Sequence, residues 1–255
     1  MADAVLVDAR SEGVTVITLN RPEVHNAIND AVLDGVEHAL DELNRRDDQR
    51  VGVITGAGRS FCSGMDLKAF TAEGRPFSRG RRLEALTRAP SQKPLIAAVE
   101  GYALAGGCEI MLACDMVVAA RNAEFGIPEV KRGLVAAAGG LLRLPQRIPR
   151  SVATELALTG ATLDARRAHM YGLVNRLTEQ GEALASALLL AQAIAANGPL
   201  AVRTSKRILS EAATWPADES WQRMLAVCEG VLSSEDAKEG SLAFVHKRAP
   251  RWSDR

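Results

Sequence analysis

Leu95-Ile96-Ala97-Ala98-Val99-Glu100-Gly101-Tyr102-Ala103-Leu104-Ala105-Gly106-Gly107-Cys108-Glu109-Ile110 is the stretch on which the reading of this chain turns. Leu95–Val99 is apolar at every position, which fits a strand buried on both faces of a sheet. The apolar residues of 110–113 follow two adjacent glycines, so Gly106 and Gly107 are expected at the start of a helix. Free N–H groups and the positive end of the dipole gather there and can receive an anion. The same residues also make an ordinary tight strand-to-helix turn, and the pattern leaves both readings open.

Working outward, Val51–Thr55 and Met116–Ala120 repeat the buried-strand signature. Val5–Asp8 and Val14–Leu19 read as a hairpin joined by Arg10-Ser11-Glu12-Gly13. After Asn20-Arg21-Pro22, the residues Ala31, Val32, Gly35, Val36, Ala39, Leu40 and Leu43 recur at helical spacing, which predicts a helix from about Asp30. The alternation implies an α/β core. From Ser151 onward strand signals nearly vanish. Leu184–Ala196, Leu200–Ala213, Trp221–Leu232 and Glu235–Val245 all read as helices, giving an expected division into a core, 1–195, and a helical tail, 196–255. Gly74–Arg82 combines glycine, proline and arginine and reads as a surface loop or a flap near a pocket.

Thirty-one basic and 31 acidic side chains leave no net charge, which argues against a general nucleic-acid binder. Met1–Ala9 has no basic n-region leading into an apolar stretch, and no apolar run is long enough to span a bilayer. A cytoplasmic protein without a membrane partner is therefore expected. Cys62, Cys108, Cys114 and Cys228 fit no zinc-ribbon spacing, and a chain of 255 residues needs no disulfide staples, so reduced thiols are expected. His38, His169 and His246 suggest no metal cluster.

Two further segments carry potential chemistry. Gly56-Ala57-Gly58-Arg59-Ser60-Phe61-Cys62-Ser63-Gly64-Met65-Asp66-Leu67 runs from a strand into a turn whose small residues admit a ligand close to the backbone. Phe125-Gly126-Ile127-Pro128-Glu129 places a carboxylate directly after a proline in apolar surroundings and precedes Ala136-Ala137-Ala138-Gly139-Gly140. Singly, these are a turn and a solvated glutamate as readily as a site.

Together the segments resemble the crotonase family, also called the enoyl-CoA hydratase/isomerase superfamily. The likeness runs from Arg21-Pro22-Glu23-Val24-His25-Asn26-Ala27 through Phe61–Leu67, Gly101–Glu109 and Phe125–Glu129. It continues to Ala168-His169-Met170-Tyr171-Gly172-Leu173-Val174-Asn175 and Ala243-Phe244-Val245-His246-Lys247-Arg248. The resemblance implies an α/β fold, the crotonase (ClpP/crotonase-like) spiral of ββα units with a C-terminal helical region that joins subunits into trimers or hexamers.

It also implies roles. The backbone N–H groups of Met65 and Gly106 match the family's oxyanion-hole donors, which stabilise a thioester enolate. Glu109 and Glu129 match the hydratase glutamates, one activating water and the other protonating the α-carbon. Glu23, Val24, His25, Ser63, Gly64, Asp66, Leu67 and Lys68 match coenzyme A contacts. Phe244 and Lys247 match a tail that reaches a neighbouring subunit's site. The implied activity is enoyl-CoA hydration with no cofactor beyond the substrate's coenzyme A. Isomerase or carnitinyl-CoA dehydratase-like chemistry and a silent acyl-CoA-binding subunit are the alternatives. Ala137 departs from the family pattern where a glycine is usual, and Leu142–Pro149 resembles the carnitinyl-CoA dehydratase branch. Both departures bear on the substrate.

Overall fold

The computed structural model describes residues 3–68, 83–88 and 91–255; the expected flap at 74–82 lies outside them. The first strands, β1 (Val5–Ala9) and β2 (Val14–Leu19), form the expected antiparallel hairpin. A short 3-10 turn, Pro22–Val24, leads to α1 (Asp30–Arg45), whose start is capped by the Asn29 side chain accepting from the Val32 N–H. Then come β3 (Val51–Gly56), α2 (Leu83–Arg88), β4 (Leu95–Val99), β5 (Tyr102–Leu104), α3 (Gly106–Ala113), β6 (Met116–Ala120) and β7 (Glu124–Gly126). A 3-10 segment, Pro128–Arg132, precedes α4 (Gly140–Arg147), α5 (Arg150–Thr159), β8 (Leu163–Asp164), α6 (Ala165–Met170) and β9 (Arg176–Thr178). The chain ends in α7 (Ala183–Ala195), α8 (Pro199–Glu211), α9 (Ser220–Leu232) and α10 (Glu235–Val245).

Among the described residues six strands make one sheet in the order β1-β2-β3-β4-β6-β9, parallel except for the β1–β2 pair. The central strands are buried on both faces, which explains their unbroken apolar runs. Along β4, Leu95, Ala97 and Val99 join the core formed with α1, while Ile96 and Ala98 face the opposite way toward α7. The helix α7 meets that second face with Ala187, Ala191 and Ala195, all buried, a small-residue stripe repeating every fourth position. A second sheet, β5-β7-β8, lies across the motif segments, with β5 parallel to β7 and β7 antiparallel to β8.

The chain is not all helical after Ser151. The strand β9 extends the main sheet by pairing with β6, and β8 closes the small sheet. Each is too short to show an alternating pattern, and both owe their conformation to the strand edge they meet. All four cysteines are free thiols, and Cys62, Cys108 and Cys114 are core residues. Among the described residues no single helix is long and apolar enough to cross a membrane.

Candidate active site

Three turns converge on one cleft of about 910 Å³ with mostly apolar walls. The first is the turn at Ser63–Met65. Parallel bridges tie Cys62 to Ala103 and Met65 to Ile28, so the turn is clamped between β5 and the start of the first helical layer. Gly64 has a φ of +96°, and a Cβ there would lie 2.6 Å from the Cβ of Ala105. Asn26, fully buried, accepts from the Arg21 N–H and donates to the carbonyls of Ala57 and Ser60, locking the 21–26 loop to the glycine turn. Arg21 in turn donates to Asp66 at 3.0 Å and to the Ala27 carbonyl.

The second turn enters α3. Ala105 adopts a positive φ of +51°, uncommon outside glycine, and its N–H is held by the Gly126 carbonyl. That bend sets Gly106, at the start of α3, on the cleft wall, and helix geometry leaves the first N–H groups without intrahelical acceptors. Among the described residues neither the Met65 nor the Gly106 N–H has a protein acceptor. Gly107 is demanded by packing: a Cβ would stand 2.3 Å from the Cys62 carbonyl oxygen.

The third turn brings the carboxylates together. Glu109, on the first turns of α3, is only 3% exposed, and its Oε1 accepts from the N–H groups of Ala138 at 2.7 Å and Gly140 at 2.9 Å. Burial pushes its carboxyl up to about 7; the Gly140 N–H opposes that rise and the charge of Glu129 adds to it. Glu129, in the Pro128–Arg132 segment, is half-buried, and burial raises its carboxyl as well. Its Oε2 is buried with no protein hydrogen-bond partner among the described residues.

Of the residues expected at the site, Val24, His25, Ser63, Met65, Asp66, Leu67, Lys68, Gly106, Glu109 and Glu129 line this cleft. Gly64 is buried immediately beneath its wall. Glu23 is exposed on the preceding 3-10 turn and is not part of the lining. Phe244, 87% exposed, and Lys247 sit at the end of α10, away from the cleft of their own chain. The imidazole of His25 meets the Ser60 hydroxyl at 2.9 Å, with its ring tilted against that of Tyr102. Ala137 lines the cleft with its methyl, while its neighbours supply the amides that hold Glu109. Sequence reasoning missed those amides and the role of Asn26. The glycine pair 139–140 was their only local signal, because backbone donors carry no residue signature.

A buried two-carboxylate cleft beside a free helix N-terminus, on a parallel sheet with a helical tail, defines a protein of the crotonase fold. The chain belongs to the enoyl-CoA hydratase/isomerase family, whose profile matches residues 9–255. The enoyl-CoA hydratase EchA19 of Mycobacterium tuberculosis is 41% identical, with 98% of this chain and 96% of the relative covered. The carnitinyl-CoA dehydratase of Escherichia coli O157:H7 is also 41% identical, with 96% of this chain and 97% of the relative covered. The crystal structure of a probable enoyl-CoA hydratase/isomerase from Mycobacterium abscessus superposes with a TM-score of 0.94 at 54% identity, each chain covered in full.

Proposed function

We propose that this chain catalyses the reversible addition of water to a trans-2-enoyl-CoA, giving a 3-hydroxyacyl-CoA. The observation that carries the reading is the pair Glu109 and Glu129 lining one largely apolar cleft, both with raised carboxyl pKa values. Two such groups can divide acid and base work, since close like charges favour one neutral and one ionised member.

The Met65 and Gly106 N–H groups stabilise the oxygen of the enolate. Each preorganised donor is worth about 3–4 kcal/mol to such a transition state. Glu109 takes the proton from water as the water adds to the β-carbon: its Oε1 is fixed by two N–H groups, which supports the ionised form and holds the carboxylate in one orientation. Glu129 delivers a proton to the α-carbon. Val24, His25, Ser63, Gly64, Asp66, Leu67 and Lys68 hold the coenzyme A portion, with Glu23 at its edge, and no further cofactor enters. Asp66 acts through Arg21, fixing the turn that presents Met65.

The tail, 196–255, joins subunits into trimers or hexamers of a cytoplasmic enzyme. Trp221, Leu232, Phe244 and Val245 are each more than 70% exposed in the single chain, a set of large apolar side chains that supports an interface there. Phe244 and Lys247 then reach a neighbouring subunit's coenzyme A site. Light scattering giving a stable monomer would count against this.

The test of the activity is loss of conjugated enoyl-thioester absorbance with enoyl-CoAs of graded length. Glu109→Gln and Glu129→Gln are each expected to slow turnover about 10²–10⁴-fold. Retained turnover in either variant refutes the pair. The likeness to a carnitinyl-CoA dehydratase motivates a second substrate, so carnitinyl-CoA belongs in the same panel, followed by the appearance of enoyl-thioester absorbance. Migration of a double bond without hydration would indicate isomerase chemistry, and coenzyme A binding without turnover a silent subunit.

A further inference from the structure

A short relay of hydrogen bonds connects the turn that holds Glu109 to α2 and α4 through two side chains, Thr87 and Arg143, that do not line the cleft and that the chemistry above does not use. The two amides that hold Glu109 flank Gly139, which has a φ of +98°. Thr87, on α2 and 2% exposed, places its hydroxyl 2.6 Å from the Ala138 carbonyl. Two carbonyls of its own helix also lie in range, Leu83 at 3.0 Å and Glu84 at 3.4 Å. A hydroxyl has one proton to give, and the shortest contact crosses to Ala138. The carbonyl of Thr87 accepts from the Arg143 guanidinium on α4. Arg143 reaches it by passing over Gly139, where a Cβ would lie 2.3 Å from Nη1.

We infer that Thr87 and Arg143 are positioning residues for Glu109, an inference that rests on the hydratase reading of the pair. Residue 138 is held at both ends: its carbonyl by Thr87 and its N–H by Glu109. Arg143 fixes Thr87 and places a cation near the carboxylate, where it favours ionisation. The charged groups facing Glu109 are Glu129 from the 3-10 segment and Arg143 from α4. The adjacent Cys108 thiol stays neutral, because burial pushes it to about 12. Arg147 lies near enough to Arg143 to add to the field on that side. The relay holds the acceptor site of Glu109 rigid without touching substrate.

The test uses Thr87→Val, Thr87→Ser, Arg143→Met and Arg143→Lys in the full chain. Misplacement of a reacting group by an ångström costs about 10²-fold, so Thr87→Val is expected to lower kcat about 10–100-fold with KM within about twofold. Thr87→Ser, which keeps the hydroxyl, restores kcat. Arg143→Met moves the acid limb of the rate profile to higher pH, and Arg143→Lys leaves that limb in place. A carbon-13 titration of the Glu109 carboxyl reads the same displacement without substrate. Unchanged titration in Arg143→Met overturns the inference. So does a Thr87→Val defect that Thr87→Ser fails to rescue, or one that merely tracks the fraction folded. If the wild-type chain turns over no enoyl-CoA while the titration still moves, the hydratase reading fails and the positioning of Glu109 stands.

Discussion

Replacing Gly64 by alanine separates the two N–H donors without altering either carboxylate. The added Cβ would stand 2.6 Å from the Ala105 Cβ, 3.0 Å from the Leu104 carbonyl oxygen and 3.4 Å from the Gly106 nitrogen. Ordinary carbon–carbon contact is about 3.5–4.0 Å, so the Ser63–Met65 turn must retreat from the entry to α3 by roughly 1 Å. The backbone cannot absorb this by rotating freely, since φ is +96° and alanine in such regions costs roughly 1–2 kcal/mol. A shift of that size at a reacting group is worth about 10²-fold in rate. At about 1.4 kcal/mol per factor of ten this is close to 3 kcal/mol, the value of one oxyanion donor. Steady-state decay of enoyl-thioester absorbance measures it, with coenzyme A affinity by calorimetry and a thermal melt run in parallel. The expected outcome is a loss in kcat near that magnitude, and any weakening of coenzyme A binding by the displaced turn is read separately by the calorimetry. A Gly64→Ala protein that folds, binds coenzyme A and keeps kcat within about threefold would refute the assignment of the Met65 and Gly106 amides as donors.

Asn26→Ala removes a fully buried amide with three hydrogen bonds and is expected to cost roughly 2–4 kcal/mol in urea unfolding, with weaker coenzyme A binding as the 21–26 loop separates from the glycine turn. An unchanged unfolding midpoint would contradict its role as the clamp. For the pH dependence of stability, Glu109 is raised from 4.5 to about 7, so the folded state holds its proton more tightly than the unfolded chain. Stability therefore falls as pH rises from about 4.5 to 7 and levels beyond, a decline of order 3 kcal/mol. Glu129 contributes with the same sign, so Glu109→Gln should flatten the decline and the double Gln variant flatten it further. Activity needs Glu109 ionised with Glu129 still protonated, so kcat/KM should rise with pH as Glu109 ionises near 7 and fall again once Glu129 loses its proton. A profile with no rising limb near pH 7 would contradict Glu109 as the base.

The apolar runs at Val51–Thr55, Leu95–Val99 and Met116–Ala120 were legible because strands buried on both faces leave no polar position. The helix from Asp30 was legible because one face alone is buried. The order of the glycine-rich motifs and the two glutamates was enough to single out the family, and most of the residues it suggested line the cleft, though Glu23, Phe244 and Lys247 do not. The short strands β5, β7, β8 and β9 were not legible, since two or three residues paired on a neighbour's edge carry no period of their own. Nor could the residues alone disclose that Asn26 locks two loops, that Ala138 and Gly140 hold Glu109, or that Arg143 crosses Gly139 to reach Thr87. Those depend on main-chain groups and on distances between segments far apart in the chain. Sequence by itself determined which side chains were available for the chemistry. Only the tertiary structure decided how burial and backbone amides set their protonation, because desolvation and hydrogen-bond geometry exist only once the chain has closed around them.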